Sequence, residues 1–195
     1  MNDYSIINMP RTSKQFEELR NIKIELIESV AMKCFANKGF HSTSISYIAR
    51  EAGISSGLMY NYFSSKDELL KSIYLKGIKK VFAPIEGETL TKKKFIAFIQ
   101  HIFNEIENNS PFWKLYFIVI SQPDVLAQYQ EYMLEAALPI MNAIINYFAK
   151  QGMQSPEIDA QFLFSTIDGV CINYLVNYPK YPLKQIKQKI LKNYE

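Results

Sequence analysis

Apolar residues recur every three or four positions along most of this chain, and no stretch alternates as a strand would. Over 13–38, Phe16, Leu19, Ile22, Leu26, Ile27, Val30, Ala31, Cys34 and Phe35 share one helical face, and Gly39 supplies the stop. Two short helices follow, over 43–52 and from Ser55 to about residue 62, with Thr43 and Ser55 as caps and Gly53 between them. Ile45, Ile48 and Ala49 face inward from the first; Met59 and Phe63 face inward from the second. A fourth helix starts at Ser64 or Ser65, with Asp67 and Glu68 in its first turn, and reaches about residue 82. The stretch 83–90 holds Pro84 and Gly87 and reads as a connector. Thr91 caps the next helix, and Ser110-Pro111, Pro123-Asp124 and Ser155-Pro156 each restart one, because proline fits the first helical position. Pro139 predicts a kink or break in the long segment after Pro123. The last helix is amphipathic, with Leu183, Ile186 and Ile190 inward and Lys184, Lys189 and Lys192 outward. The pattern gives about nine helices, an all-α protein without internal repeats.

Composition agrees with a packed fold: 195 residues, 48% hydrophobic and 14% aromatic, cannot be a disordered chain. Cys34 and Cys171 lie far apart, each in an apolar pattern, and read as reduced core thiols. The longest apolar run, 115–120, falls far short of the ~20 residues of a membrane helix. The N-terminus lacks a signal-peptide core, so a cytoplasmic location is expected. Net charge is only +3, but its distribution matters more. Residues 1–80 hold 12 Lys or Arg against 8 Asp or Glu, whereas the remainder is nearly balanced.

The positive segment also carries the informative motif. Two short helices joined at a glycine form a helix-turn-helix. The first needs small inward residues, here Ile48, Ala49 and Ala52, so that the second can cross it closely; the second must stay short to enter a major groove. Phe35, Gly39-Phe40, Thr43, Ile48-Ala49, Ala52-Gly53-Ile54-Ser55, Gly57, Tyr60, Phe63, Ser65-Lys66 and Leu69-Leu70 together resemble the tetracycline-repressor (TetR) family of bacterial regulators over residues 20–75. Leu58 and Met59 depart from the commonest pattern; Met59 is a volume-conserving swap, and Leu58 either touches a thymine methyl or packs on the preceding helix.

The resemblance implies a division into a flexible arm (1–12), a DNA-binding domain (13–64), a connecting helix (65–82) and a ligand-binding and dimerisation domain (83–195). It implies that Ser55, Ser56, Gly57 and Asn61 lie at the groove-facing side, with Asn61 on an adenine edge. It also implies that Thr43, Tyr60, Tyr62 and Lys66 contact phosphates. Thr43 serves equally well as a helix cap, and Arg11 and Lys14 as parts of a basic arm.

The C-terminal part is rich in large aromatics, most of which belong to an ordinary core. Trp113 and Tyr116, one turn apart, carry polar tips that need partners when buried. With Phe98, Phe103, Phe117 and Tyr132 they make a candidate lining for a hydrophobic or amphipathic effector. The segment from Ser155 to about residue 178 is apolar on more than one face, so Phe162, Ile167, Gly169, Val170 and Tyr174, with Ile186 and Ile190, are the expected homodimer contacts. With two histidines, no phosphate loop and no clustered metal ligands, neither catalysis nor a cofactor or metal is expected. The resulting expectation is a dimeric repressor on a palindromic double-stranded operator, with a nucleoid or division factor on the same fold as the rival.

Overall fold

The computed structural model describes residues 12–85, 87 and 89–194. Of the expected arm only Thr12 falls among them; Arg11 lies outside. Every regular element among the described residues is helical. Helix α1 (Ser13–Lys38) starts at a capping box: Thr12 Oγ1 accepts from the Gln15 N–H at 3.3 Å, and Gln15 Oε1 accepts from the Thr12 N–H at 2.9 Å. The apolar face expected along all of α1 divides in two. From Ile27 onward it is buried, whereas Phe16, Leu19, Ile22 and Leu26 stand exposed, because the first half of the helix extends past the elements it packs on.

Helices α2 (Ile45–Glu51) and α3 (Ser56–Tyr60) meet at Gly53, whose φ of +65° is the left-handed conformation that the turn requires. The cap of α2 is Ser44 rather than Thr43: Ser44 Oγ accepts from the Tyr47 N–H at 3.1 Å. Ser55 caps α3 as expected, but the helix ends two residues early. Helix α4 (Lys66–Phe82) begins at Ser65, whose Oγ accepts from the Glu68 N–H at 3.0 Å. The Glu68 carboxylate in turn accepts from the backbone and hydroxyl of Ser64, which holds its acid below the usual range.

Helices α5 (Lys92–Asn108) and α6 (Ser110–Ser121) join directly at Asn109. Helix α7 (Pro123–Lys150) continues as one helix through Pro139, so the expected break is absent. Helices α8 (Pro156–Asn177) and α9 (Leu183–Lys192) complete the chain.

Helix α4 ties the two ends of the molecule together. Glu28 of α1 is buried, and its carboxylate accepts from Ser72 Oγ at 2.6 Å and Lys76 Nζ at 2.8 Å, both on α4. These two donors offset the desolvation of a buried charge. Further along α4, Gly77 lies under the Phe112 ring of α6, so closely that a Cβ would overlap it. One buried apolar cluster therefore runs unbroken from Ile27 to Leu191. Cys34 and Cys171 are free thiols, Cys171 buried within that cluster.

Candidate DNA interface and effector cavity

Helix α3 buries a single side chain, Met59, and leaves the rest of its surface to solvent. Ser55, Gly57, Tyr60 and Asn61 are exposed together, and Ser56 is half-buried. Leu58 is 37% exposed, so it stands on this outer surface rather than packing on α2. Tyr62 is half-buried beneath Arg20, whose guanidinium lies 5.4 Å from the ring centroid and donates to the Asn61 carbonyl at 3.2 Å. Beyond its own helix and chain neighbours, no described residue lies within 4 Å of a Cβ built on Gly57, so no such contact requires a glycine there.

Two expected phosphate contacts look different in three dimensions. Thr43 is only 1% exposed, and its hydroxyl donates to the Gly39 carbonyl at 2.7 Å. That hydroxyl is occupied by the turn, which corrects its expected outward role. The exposed side chain at the start of α2 is Ser44. Lys66 reaches the neighbouring carbonyl of the same turn: its ammonium donates to the Phe40 carbonyl at 2.8 Å and lies 4.2 Å from the Phe40 ring centroid. On α2, Tyr47 sits between Lys38, 3.8 Å from its centroid, and Arg50, 5.0 Å away.

The larger part of the chain holds two adjoining, half-open cavities of about 570 and 290 Å³, which share Ile78, Phe82 and Ile140. Tyr74, Val81 and Phe82 of α4, Trp113 and Tyr116 of α6, Met133 and Met141 of α7, and Phe164 and Asp168 of α8 line the smaller, inner one. Of the expected lining, only Trp113 and Tyr116 belong. Phe98 and Phe103 are fully packed in the core, Phe117 lines neither cavity, and Tyr132 lies exposed with the Lys71 ammonium 3.2 Å from its centroid. The aromatic periodicity identified large side chains without distinguishing core from cavity wall.

The inner cavity is electrostatically lopsided. Asp168 is its only charged lining residue among the described ones, and burial pushes its carboxyl up to about 6. Burial also pushes the hydroxyls of Tyr74 and Tyr116 and the Cys171 thiol well above their ordinary ranges, with the neighbouring Asp168 charge adding to each. Tyr74 and Tyr116 stack at 6.1 Å, and Trp113 meets Tyr116 edge to face at 5.6 Å. Trp113 is 4% exposed, and its indole N–H has no hydrogen-bond partner among the described residues.

Helix α8 carries a second apolar face. Ile158, Phe162, Ile172 and Val176 are exposed, Phe162 by 64% and Val176 by 76%. With Ser165 and Gly169 they follow a spacing that alternates four and three residues, the repeat of a helix–helix seam. Ile167, Val170 and Tyr174 instead face the chain's own core, as Ile190 does from α9, while Ile186 is half-buried. Four of the seven expected dimer residues are therefore internal, and the outward row is the one that begins at Ile158.

Residues 27–73 match the family model described as bacterial regulatory proteins, tetR family. The chain is also 25% identical over 178 residues to the fatty acid metabolism regulator protein of Bacillus subtilis, a match covering 85% of this chain and 90% of that protein. Residues 27–73 therefore carry a DNA-binding domain of the TetR type, and the chain is a DNA-binding transcriptional regulator. Its TetR segment is 46% identical over 63 residues to the HTH-type regulator YuxN of the same organism, covering 32% of this chain and 22% of that protein. The fold is similar to the crystal structure of the regulator FadR from B. subtilis in complex with stearoyl-CoA, at a TM-score of 0.69 and 22% identity, covering 87% of this chain and 96% of that one. Among the described residues no helix is long and apolar enough to cross a membrane.

Sequence reasoning missed Ser44 and Tyr47 on the first helix of the motif, Asp168 and the α4 wall of the cavity, and, although it named Phe162 and Gly169, the rest of the row from Ile158 to Val176. The last was legible: its seven-residue repeat lies in plain view on a helix already apolar elsewhere. The cavity wall was not, because it assembles from helices distant in sequence.

Proposed function

We propose that this regulator is a repressor that binds a palindromic operator as a homodimer and releases it when a hydrophobic or amphipathic small molecule enters the cavity between α4, α6, α7 and α8. The observation that carries the reading is the double attachment of α4. Its C-terminal half, with Tyr74, Ile78, Val81 and Phe82, is cavity wall. Its start and middle are bound to α1 and to the turn that leads into α2, through Lys66–Phe40 and through Glu28 with Ser72 and Lys76. A third link joins this end to α7: the Tyr129 hydroxyl donates to the Asp67 carbonyl and carboxylate at 3.1 and 3.2 Å. A ligand that displaces the wall shifts the recognition helix, and the population that fits the operator falls.

In this reading α3 enters the major groove. Gly57 lets a DNA strand come close, Asn61 reads an adenine edge and Leu58 touches a thymine methyl. Tyr60, Tyr62 and Lys66 fix register on phosphates, with Ser44 in the place expected of Thr43. The N-termini of α2 and α3, capped by Ser44 and Ser55, turn backbone N–H groups toward the same strand, with Ser56 beside them. The second copy lies on the α8 row; Gly169, where an added Cβ meets nothing within the chain, leaves room for the partner helix. The stearoyl-CoA complex of a protein with this fold supports an amphipathic effector. Work on chromosomal DNA implies a cytoplasmic location, and none of these roles is catalytic.

Selection from random duplexes tests the proposal. It predicts recovery of a palindrome with half-sites about one helical turn, ~34–36 Å, apart. Recovery of no motif, with weak salt-sensitive binding alone, would favour a nucleoid-type factor instead.

A further inference from the structure

We propose that the inner cavity recognises an organic ammonium group, held by the Asp168 carboxylate within a cage of aromatic rings. The inference rests on the reading of this cavity as the effector site and deepens it by naming the charge of the ligand. Among the described residues Asp168 has no salt-bridge or hydrogen-bond partner, and no Lys, Arg or His lines the cavity around it. The groups facing it are Tyr74 from α4, Tyr116 from α6 and Cys171 from its own helix, while α7 contributes only apolar side chains to the inner lining. The facing titratable groups are two phenols and a thiol, which burial holds neutral and which are never cationic, so none supplies a counter-charge. A carboxylate without a counter-ion in an apolar enclosure is costly unless something pairs with it.

The surrounding rings favour a cation over a neutral donor. Tyr74, Trp113 and Tyr116 pack against one another around the same space, with Phe82 and Phe164 beside them. Aromatic faces attract cations, and they do so more strongly when water is excluded. The remaining lining, including Ile78, Ile140 and Met141, suits an aliphatic body attached to the ammonium. A plain acyl chain would fill this volume and leave Asp168 unpaired; a lipophilic amine fills it and neutralises the carboxylate.

Trp113 is the chain's only tryptophan and lines this cavity, so its fluorescence reports occupancy directly. The test is titration of the full-length protein at pH 8 with decylamine, decanol and decanoate, which share one chain and differ in charge. The expected order is decylamine tightest, by about tenfold or more over decanol, with decanoate weakest. Asp168→Asn should erase the preference for the amine and leave decanol affinity within about twofold, since only the charge is removed. Equal or tighter binding of decanol by the wild type overturns the ammonium assignment while the effector-cavity reading stands, and so does an amine preference that survives in Asp168→Asn. Failure of all three probes to alter Trp113 fluorescence overturns both.

Discussion

At the scale of single residues, Asp168 couples the cavity to pH. Its acid is raised to about 6 in the folded chain from an ordinary 3.8, so folding favours its protonated form. The stability it contributes is thus fully present below pH ~4 and is lost as pH rises through about 6. Asp168→Asn removes that loss. Thermal unfolding at pH 8 should show the variant more stable, by about 1–3 kcal/mol, and at pH 4 the difference should vanish. A gain of the same size at both pH values would mean that its burial, rather than its charge, sets the effect. Lys66 lends itself to a DNA measurement. Lys66→Ala should weaken all sequences alike and reduce the slope of log affinity against log salt by about 1. An unchanged slope would leave Lys66 as a tether to Phe40 alone. Asn61→Ala should instead cost about 1–3 kcal/mol on the operator and relax one base position. The helix-turn-helix residues were legible in the sequence because capping and groove entry constrain neighbours along the chain. Thr43 was misjudged because a threonine before a helix suits a cap and an inward turn equally, and only the Gly39 carbonyl at 2.7 Å decides between them.

At the scale of elements, α8 and α4 make separate predictions. The exposed row on α8 is large, apolar and regularly spaced, and such patches on a folded chain mark contact sites. Phe162→Glu should leave the helical circular dichroism intact, shift the protein to a monomer by sedimentation, and abolish cooperative operator binding. A dimer that persists in this variant would place the interface elsewhere. On α4, Gly77→Ala would force Phe112 away from its seat, which should lower stability by about 1–3 kcal/mol and loosen the cavity wall. Boundaries of nearly every helix were readable from proline and cap signals, since Ser-Pro pairs, Thr91 and glycine stops act locally. What periodicity could not supply was which apolar face meets which neighbour. Helix α1 shows this: nine apolar positions share a face, yet only those from Ile27 onward find something to pack on. Helix α8 shows the converse, since the expected dimer residues Ile167, Val170 and Tyr174 are taken up by the core.

At the scale of the whole molecule, α4 joins the helices around the helix-turn-helix at one end to the cavity at the other. The exposed contact between His41 Nε2 and Asp124, at 3.2 Å, adds a further link from the α1–α2 turn to α7, although exposed pairs of this kind stabilise little. The coupling needs only modest differential affinity: a ligand that prefers the displaced wall by about 1–3 kcal/mol changes operator affinity about 5–150-fold. The most direct test follows operator affinity by fluorescence anisotropy on the selected palindrome, with and without saturating stearoyl-CoA or decylamine, while Trp113 emission monitors the cavity. The account predicts that whichever probe alters Trp113 also weakens operator binding by at least about fivefold. A probe that fills the cavity and leaves operator affinity unchanged would contradict it.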